Sequence, residues 1–190
     1  MQVDFINWKL SFENPADMTP HEFFRVFNTW IPQSPEVFVD VSDYKHVVEG
    51  PLVLLAGHHV HYALDNTDKR HGFLYNQKFP LEGNNVEKIR GTLAEFLKAC
   101  LRLEKDTSFK AVPRFNTQEL EFIVNSRSLA PNTEETFAAI KGELSQVLDA
   151  VFGAGQYDLV RNTDPRQRFS VIVKAKSKST LTALEAKLHP

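Results

Sequence analysis

Five of the seven histidines fall between positions 46 and 71: His46, His58, His59, His61 and His71. Within that window the run Gly57-His58-His59-Val60-His61-Tyr62-Ala63-Leu64-Asp65 sets three imidazoles beside a carboxylate. Imidazole is the commonest transition-metal ligand and the one side chain whose ordinary titration lies near neutrality. In an extended strand, residues two apart project to the same side. Val60, Tyr62 and Leu64 are therefore expected to face the core and to take His58 with them, leaving His59, His61 and Asp65 on the opposite face. Those last three form a partial divalent-metal set, to be completed by Asp43, His46 or His71. The spacing matches neither the helical H-E-x-x-H pattern nor a Cys/His structural zinc pattern, so no cofactor is expected and the metal set stands only as an alternative. The ordinary reading makes His59 and His61 solvent-facing and His58 a satisfied core histidine. The candidate ligand or site residues are Tyr44, His46, His58, His59, His61 and Asp65.

A second chemistry is anion binding. Arg166 and Arg168 sit in Asp164-Pro165-Arg166-Gln167-Arg168-Phe169, and Lys174, Lys176 and Lys178 continue the outward phase of Arg168. Guanidinium groups suit phosphate and carboxylate, although lysines on such a strand also protect an edge against unwanted pairing. Arg127 precedes Asn132-Thr133, which opens a helix whose free N–H groups and dipole favour an anion, or which these residues merely cap. Asp40 and Asp43 can form a carboxylate pair at a strand end, but no partner is placed for acid–base work. Phosphate-loop, dinucleotide-binding and nucleophile-elbow motifs are absent. The single Cys100 shares a helix phase with Ile89, Leu93, Phe96 and Leu97, which marks it as a buried thiol rather than a nucleophile.

Three helical segments must position these residues. Thr19-Pro20-His21-Glu22 opens the first, with Phe23, Val26, Phe27 and Trp30 on one face. Asn84-Asn85-Val86-Glu87 opens the second and Asn132-Thr133-Glu134-Glu135 the third, which Gly153 and Gly155 end. Each start places Glu three residues after a capping residue. Strands are expected at Val3 to Phe12, Glu36 to Val41 with Val37, Val39 and Val41 on one face, and Leu52 to Ala56, apolar throughout and so covered on both sides. A meander follows at His59 to Asp65 and Gly72 to Lys78. Leu120, Phe122 and Val124 mark a further strand, then Tyr157 to Arg161 and Arg168 to Lys176. A short closing helix has Leu181, Leu184 and Leu188 in phase. The order β-α-β-β-β-β-α-β-α-β-β predicts an α+β fold, a mainly antiparallel sheet with three principal helices packed on it. No internal repeat is visible. The 190 residues suit a single domain, 1–190, or two halves, 1–80 and 81–190, sharing one core.

Bulk properties bound the function. A net charge of −2 argues against a general nucleic-acid binder. Charge is uneven: residues 1–50 carry 3 basic and 8 acidic side chains, residues 155–190 carry 7 basic and 3 acidic. The two ends are expected to pair across the surface. Abundant aromatics follow helix and strand phasing, as core residues do. The N-terminal residues lack the pattern of a secretion signal, and the longest apolar run, Leu52 to Ala56, is too short for a membrane span, so a cytoplasmic protein is expected.

The run Asp43-Tyr44-Lys45-His46-Val47-Val48-Glu49-Gly50-Pro51, with Gly57-His58 and Tyr62-Ala63-Leu64-Asp65, carries a resemblance. Leu81-Glu82-Gly83, Ala130-Pro131-Asn132-Thr133-Glu134-Glu135-Thr136-Phe137 and Asp164-Pro165-Arg166 extend it over residues 36–175. Together these stretches resemble an uncharacterised family of bacterial proteins of about this length. The resemblance implies a bacterial cytosolic protein and transfers no activity, cofactor, partner or catalytic residue. Its pattern fits His58 better than the His59/His61 pair. Two functions remain open from the residues. One is a non-enzymatic binding or interaction protein for a small ligand or a protein partner, without nucleic acid or membrane, as a monomer or homodimer. The alternative is a small enzyme, with or without metal, built on the histidine window. Convergence of those side chains in a concave pocket discriminates the two.

Overall fold

The computed structural model describes residues 1–188. The strands are β1 (Ile6–Phe12), β2 (Phe38–Asp43), β3 (Pro51–Gly57), β4 (Val60–Asp65), β5 (Gly72–Gln77), β6 (Phe115–Val124), β7 (Tyr157–Arg161) and β8 (Phe169–Ala175). The helices are α1 (Pro20–Gln33), α2 (Asn85–Lys105), α3 (Glu134–Phe152) and α4 (Leu181–Ala186). All eight strands join one antiparallel sheet in the order β2-β3-β4-β5-β1-β6-β8-β7, and the fold is α+β as the pattern of elements predicts. None of the described helices is long and apolar enough to cross a membrane.

Local chemistry explains the helix starts. Thr19 accepts a hydrogen bond from the Glu22 N–H, and Asn84 and Glu87 satisfy each other's backbone in a reciprocal capping box. The third helix is capped by Thr133, one residue later than the Asn132–Glu135 spacing suggests, and its side chain accepts from the Thr136 N–H. Gly153 ends that helix with φ of +93°, a conformation open to glycine at little cost. Cys100 is fully buried on α2, as its helical phase requires, and burial pushes its thiol pKa up.

The helices lie on one face of the sheet only. Ile6, Trp8, Leu10 and Phe12 of β1 point into this core with Phe122 and Val171 from β6 and β8. The Trp8 and Phe122 rings sit 5.0 Å apart, and the buried Trp8 indole N–H donates to Thr92 Oγ1 of α2 at 2.9 Å. Leu181, Leu184 and Leu188 close the same core.

One-sided coverage corrects two expectations. In β3 Val53, Leu55 and Gly57 are buried and Leu52 packs against the same core, while Leu54 and Ala56 are only half-buried, Leu54 against the small cluster on the other face. In β2 the buried residues are Phe38 and Val41, whereas Val37 and Val39 are 62% and 67% exposed. The register against β3 slips between Phe38 and Asp40, and this bulge reverses the simple alternation. A third correction concerns Lys174, which lies on β8, an interior strand; the edge is β7. The expected pairing of the oppositely charged ends is seen in the Lys178–Glu13 ion pair.

Candidate functional site

The face of the sheet away from the helices carries the outward residues of every strand. Pairing aligns His61 with Asn76, Asn76 with Asn7, Asn7 with Ile123, and Ile123 with Ser170 across five adjacent strands. A second row runs through Leu54, Ala63, Leu74, Lys9, Glu121 and Ile172. Ala63, Leu74 and Ile123 form a small apolar cluster of their own. Polar residues therefore sit beside an apolar patch at the centre of a wide sheet.

The histidine window does not assemble there. Val60, Tyr62 and Leu64 do pack inward, but His58 is not carried with them. It occupies the two-residue turn between β3 and β4, where strand alternation stops, and is exposed with its ring 4.5 Å from that of His59. His59 is exposed too, its Nδ1 3.3 Å from Glu36. His61 is half-buried, its Nδ1 accepting from the Gly57 N–H at 3.1 Å, and burial lowers its pKa, helped by Lys78. Tyr44 and His46 lie exposed on the β2–β3 connection with ring centres 6.4 Å apart. Among the described residues no three His, Cys, Asp or Glu side chains are grouped to hold a metal ion, so His59, His61 and Asp65 do not form the partial site their spacing allows.

Asp65 belongs to a different constellation. It is 1% exposed, and its Oδ2 lies 2.5 Å from Lys9 Nζ, each side chain having 2% of its surface open. Asp65 also accepts from the Thr67 N–H at 3.0 Å and the Thr67 hydroxyl at 2.9 Å, which ties down the β4–β5 connection. Lys9 further donates to the Thr67 carbonyl at 3.2 Å. Nearby, Arg70 reaches Glu121 at 3.2 Å and Glu119 at 3.6 Å. His71, half-buried with Nε2 unpartnered, has its pKa lowered by burial and then by Lys9.

Of these groups, Lys9, Asp65, Thr67 and Glu121 line a narrow cleft whose water-accessible space is about 20 Å³. Lys9, Leu74, Glu121, Ile123 and Ser170 form its floor, Thr67 and Asp68 one wall, and Asn162, Gln167 and Arg168 the other. The first wall holds its shape through two consecutive non-glycine residues in the left-handed region, Asp68 and Lys69, both with φ of 56°. The second wall is the β7–β8 connection. Asp164 there accepts a forked contact from Arg166, Nε at 3.0 Å and Nη2 at 2.9 Å, which lowers the carboxyl pKa.

The three arginines expected to bind an anion do gather at this connection, with unequal freedom. Arg166 is neutralised by Asp164. Arg127 donates to the Arg166 carbonyl at 2.8 Å and does not reach the cleft lining. Arg168 lines the cleft and donates to Asn125 Oδ1 at 3.0 Å. The α3 N-terminus is occupied by its own cap, and Asn132 is engaged by Arg161 and by the Asp164 carbonyl.

Sequence reasoning placed Asp65 and Arg168 but missed Lys9, Asp68, Glu121 and Ser170. Some signal was available: Asn7 and Lys9 are the polar residues that alternate with the inward Ile6, Trp8 and Leu10 of β1. Their burial depends on strand order, since only a sheet with β1 in the middle encloses those positions. Asn7 is 0% exposed, and among the described residues neither its Oδ1 nor its Nδ2 has a hydrogen-bond partner. Compared with known families and curated proteins, the chain matches no family model and no curated sequence.

Proposed function

We propose that this protein binds a small polar ligand across the mouth of the narrow cleft between the β4–β5 and β7–β8 connections, and that it does so without chemical turnover. The observation that carries the reading is the concentration of buried and half-buried polar groups around one concavity, with an apolar floor from Leu74 and Ile123. Ligand sites combine apolar lining with a few placed polar groups in this way. The acid and base groups of the floor are committed to one another, Lys9 to Asp65 and Glu121 to Arg70, which argues against general acid–base work. Among the described residues no histidine lines the cleft beside the Ser170 hydroxyl.

In line with the resemblance above, we place the protein in the bacterial cytoplasm. A lone buried thiol, Cys100, suits a reducing compartment. The test is a thermal-shift screen of small polar metabolites on the wild type and on Gln167→Trp, which fills the cleft mouth from an exposed position. A compound that raises Tm in the wild type, loses its effect in Gln167→Trp and is recovered unchanged supports the reading. Consumption of the compound, or an equal shift in both proteins, refutes it.

A further inference from the structure

Tyr62 of β4 is 8% exposed, and among the described residues its hydroxyl has no hydrogen-bond partner. A buried tyrosine hydroxyl ordinarily finds one, because an unmade bond inside a protein is costly. This oxygen is not sealed from solvent as the Asn7 amide is, and the space that Tyr62 lines is a cavity of about 210 Å³. Trp30 and Phe38 share its floor, their ring centres 5.9 and 5.8 Å from that of Tyr62. Glu95, Lys98, Ala99 and Arg102 form one wall, set on one side of α2 by their helical spacing. Ser34 and Glu36, between α1 and β2, form the other. The cavity lies on the helix-bearing side of the sheet and shares no residue with the cleft.

One charge in this lining is left over. Glu95 pairs with Lys98 at 3.0 Å, and Glu36 accepts from the His59 N–H at 2.8 Å and lies 3.3 Å from its ring nitrogen. Arg102, by contrast, has no carboxylate at ion-pair distance among the described residues. Its Nη1 donates to Ser34 Oγ at 2.5 Å, its Nη2 to Gln33 Oε1 at 3.5 Å, and its guanidinium carbon lies 4.0 Å from the Trp30 ring centre. Asp106 nearby accepts instead from the Ser108 N–H at 2.9 Å and the Trp30 indole at 3.5 Å. A guanidinium carries five N–H donors, so Arg102 keeps some free beside an aromatic floor. We infer that the cavity binds a small organic acid with a flat apolar body, its carboxylate on Arg102 and the Tyr62 hydroxyl and its body against Trp30 and Phe38. Paired guanidinium donors match a carboxylate, and aromatic rings favour a flat partner. Burial pushes the Tyr62 phenol far above its ordinary pKa, so it stays protonated and donates to an anion. A neutral ligand leaves Arg102 unpaired, and a bare anion leaves the aromatic floor wet. The cavity and the cleft are independent, and either can bind without the other.

The experiment is a heteronuclear NMR titration of the isotope-labelled full chain with benzoate, benzamide, acetate and inorganic phosphate. The two tryptophan indole signals separate Trp30, in the cavity, from Trp8, which does not line it. Benzoate is expected to bind and to move the Trp30 signal while Trp8 stays in place, with the other three binding about tenfold more weakly. Arg102→Gln should erase the preference for benzoate over benzamide, and Tyr62→Phe should weaken benzoate roughly threefold or more, with circular dichroism confirming folding of both. Should Arg102→Gln fail to fold, the wild-type comparison and Tyr62→Phe decide. Equal affinity for benzoate and benzamide, no benzoate binding, or a Trp30 signal that does not move overturns the inference. So does acetate or phosphate binding as tightly as benzoate, or undiminished benzoate affinity in either folded variant. Gln167→Trp should bind benzoate as the wild type does; loss of binding there puts the acid in the cleft and overturns the assignment to this cavity.

Discussion

Replacing Lys9 by methionine isolates the energetics of the cleft floor. The substitution keeps a stem of similar length but removes the ammonium 2.5 Å from Asp65 and 3.2 Å from the Thr67 carbonyl. Asp65 then stays in a site where its side chain is 2% exposed, with only the Thr67 N–H and hydroxyl to stabilise its charge. Breaking a buried pair by removing one partner typically costs about 3–5 kcal/mol, because an uncompensated charge remains. The two contacts from Thr67 offset part of this, so the lower end, about 3 kcal/mol, is expected. At about 2–4 °C per kcal/mol for a chain of this size, Tm should fall by roughly 6–12 °C. The double variant Lys9→Met/Asp65→Asn removes both charges and should recover most of the loss, giving a strong coupling in the double-mutant cycle. Urea denaturation of wild type, both singles and the double, at low and high salt, is the assay. A buried pair is little screened, so the coupling should persist in high salt. A loss below about 1 kcal/mol for Lys9→Met, or a double variant no more stable than that single, would refute the claim that this pair is sealed.

Three further outcomes follow from the same geometry. Asn7→Leu removes an amide whose two polar atoms are buried without partners; an orphaned group of this kind costs about 1–3 kcal/mol, so Tm should rise, and a fall would reveal a bound water or other partner. Gly72→Ala places a Cβ against the Leu10 carbonyl oxygen and the Ser11 Cα, backbone atoms that can yield only if β5 and β1 separate; a loss of about 1–3 kcal/mol in chemical denaturation is expected, and an unchanged midpoint contradicts the register. Burial holds the folded-state pKa of His61 and His71 below the ordinary imidazole value, so the unfolded chain binds more protons as the solution is acidified. Their stabilising contribution is complete above about pH 6.5 and is lost as pH falls through the folded pKa. Tm should therefore decline from neutrality towards pH 5, with a shallower slope in His71→Phe; a Tm that rises on acidification contradicts the sign.

The histidine-rich run spans residues 46–71, yet of that window only Asp65, Thr67 and Asp68 line the cleft and none of its histidines does. His58 shows why. Alternation holds within β4 and fails at the turn just before it, so a histidine two residues from an inward Val60 points to solvent. Val37 and Val39 illustrate the same limit, since a bulge invisible in the pattern of side chains turns them outward. Arg166 and Arg168 on one segment and Arg127 on another are expected to bind an anion, but Asp164 claims Arg166 and Arg127 does not reach the lining, leaving Arg168 for the cleft.

Short-range physics was legible from residue types alone. Capping residues, proline at a helix start and glycine at a helix end act within a few residues, and hydrophobic periodicity reports which side of an element is buried. These gave the α+β class, the helix starts within one residue, the inward faces of β1, β4, β6 and β8, and the burial of Cys100. Tertiary structure decided everything that depends on strand order. Lys9, Asp65 and Glu121 are far apart in sequence, and nothing in their local spacing announces contact. They meet because β1 is threaded between β5 and β6 in mid-sheet, where long neighbouring side chains and two connections exclude water from positions that on an edge strand stay wet.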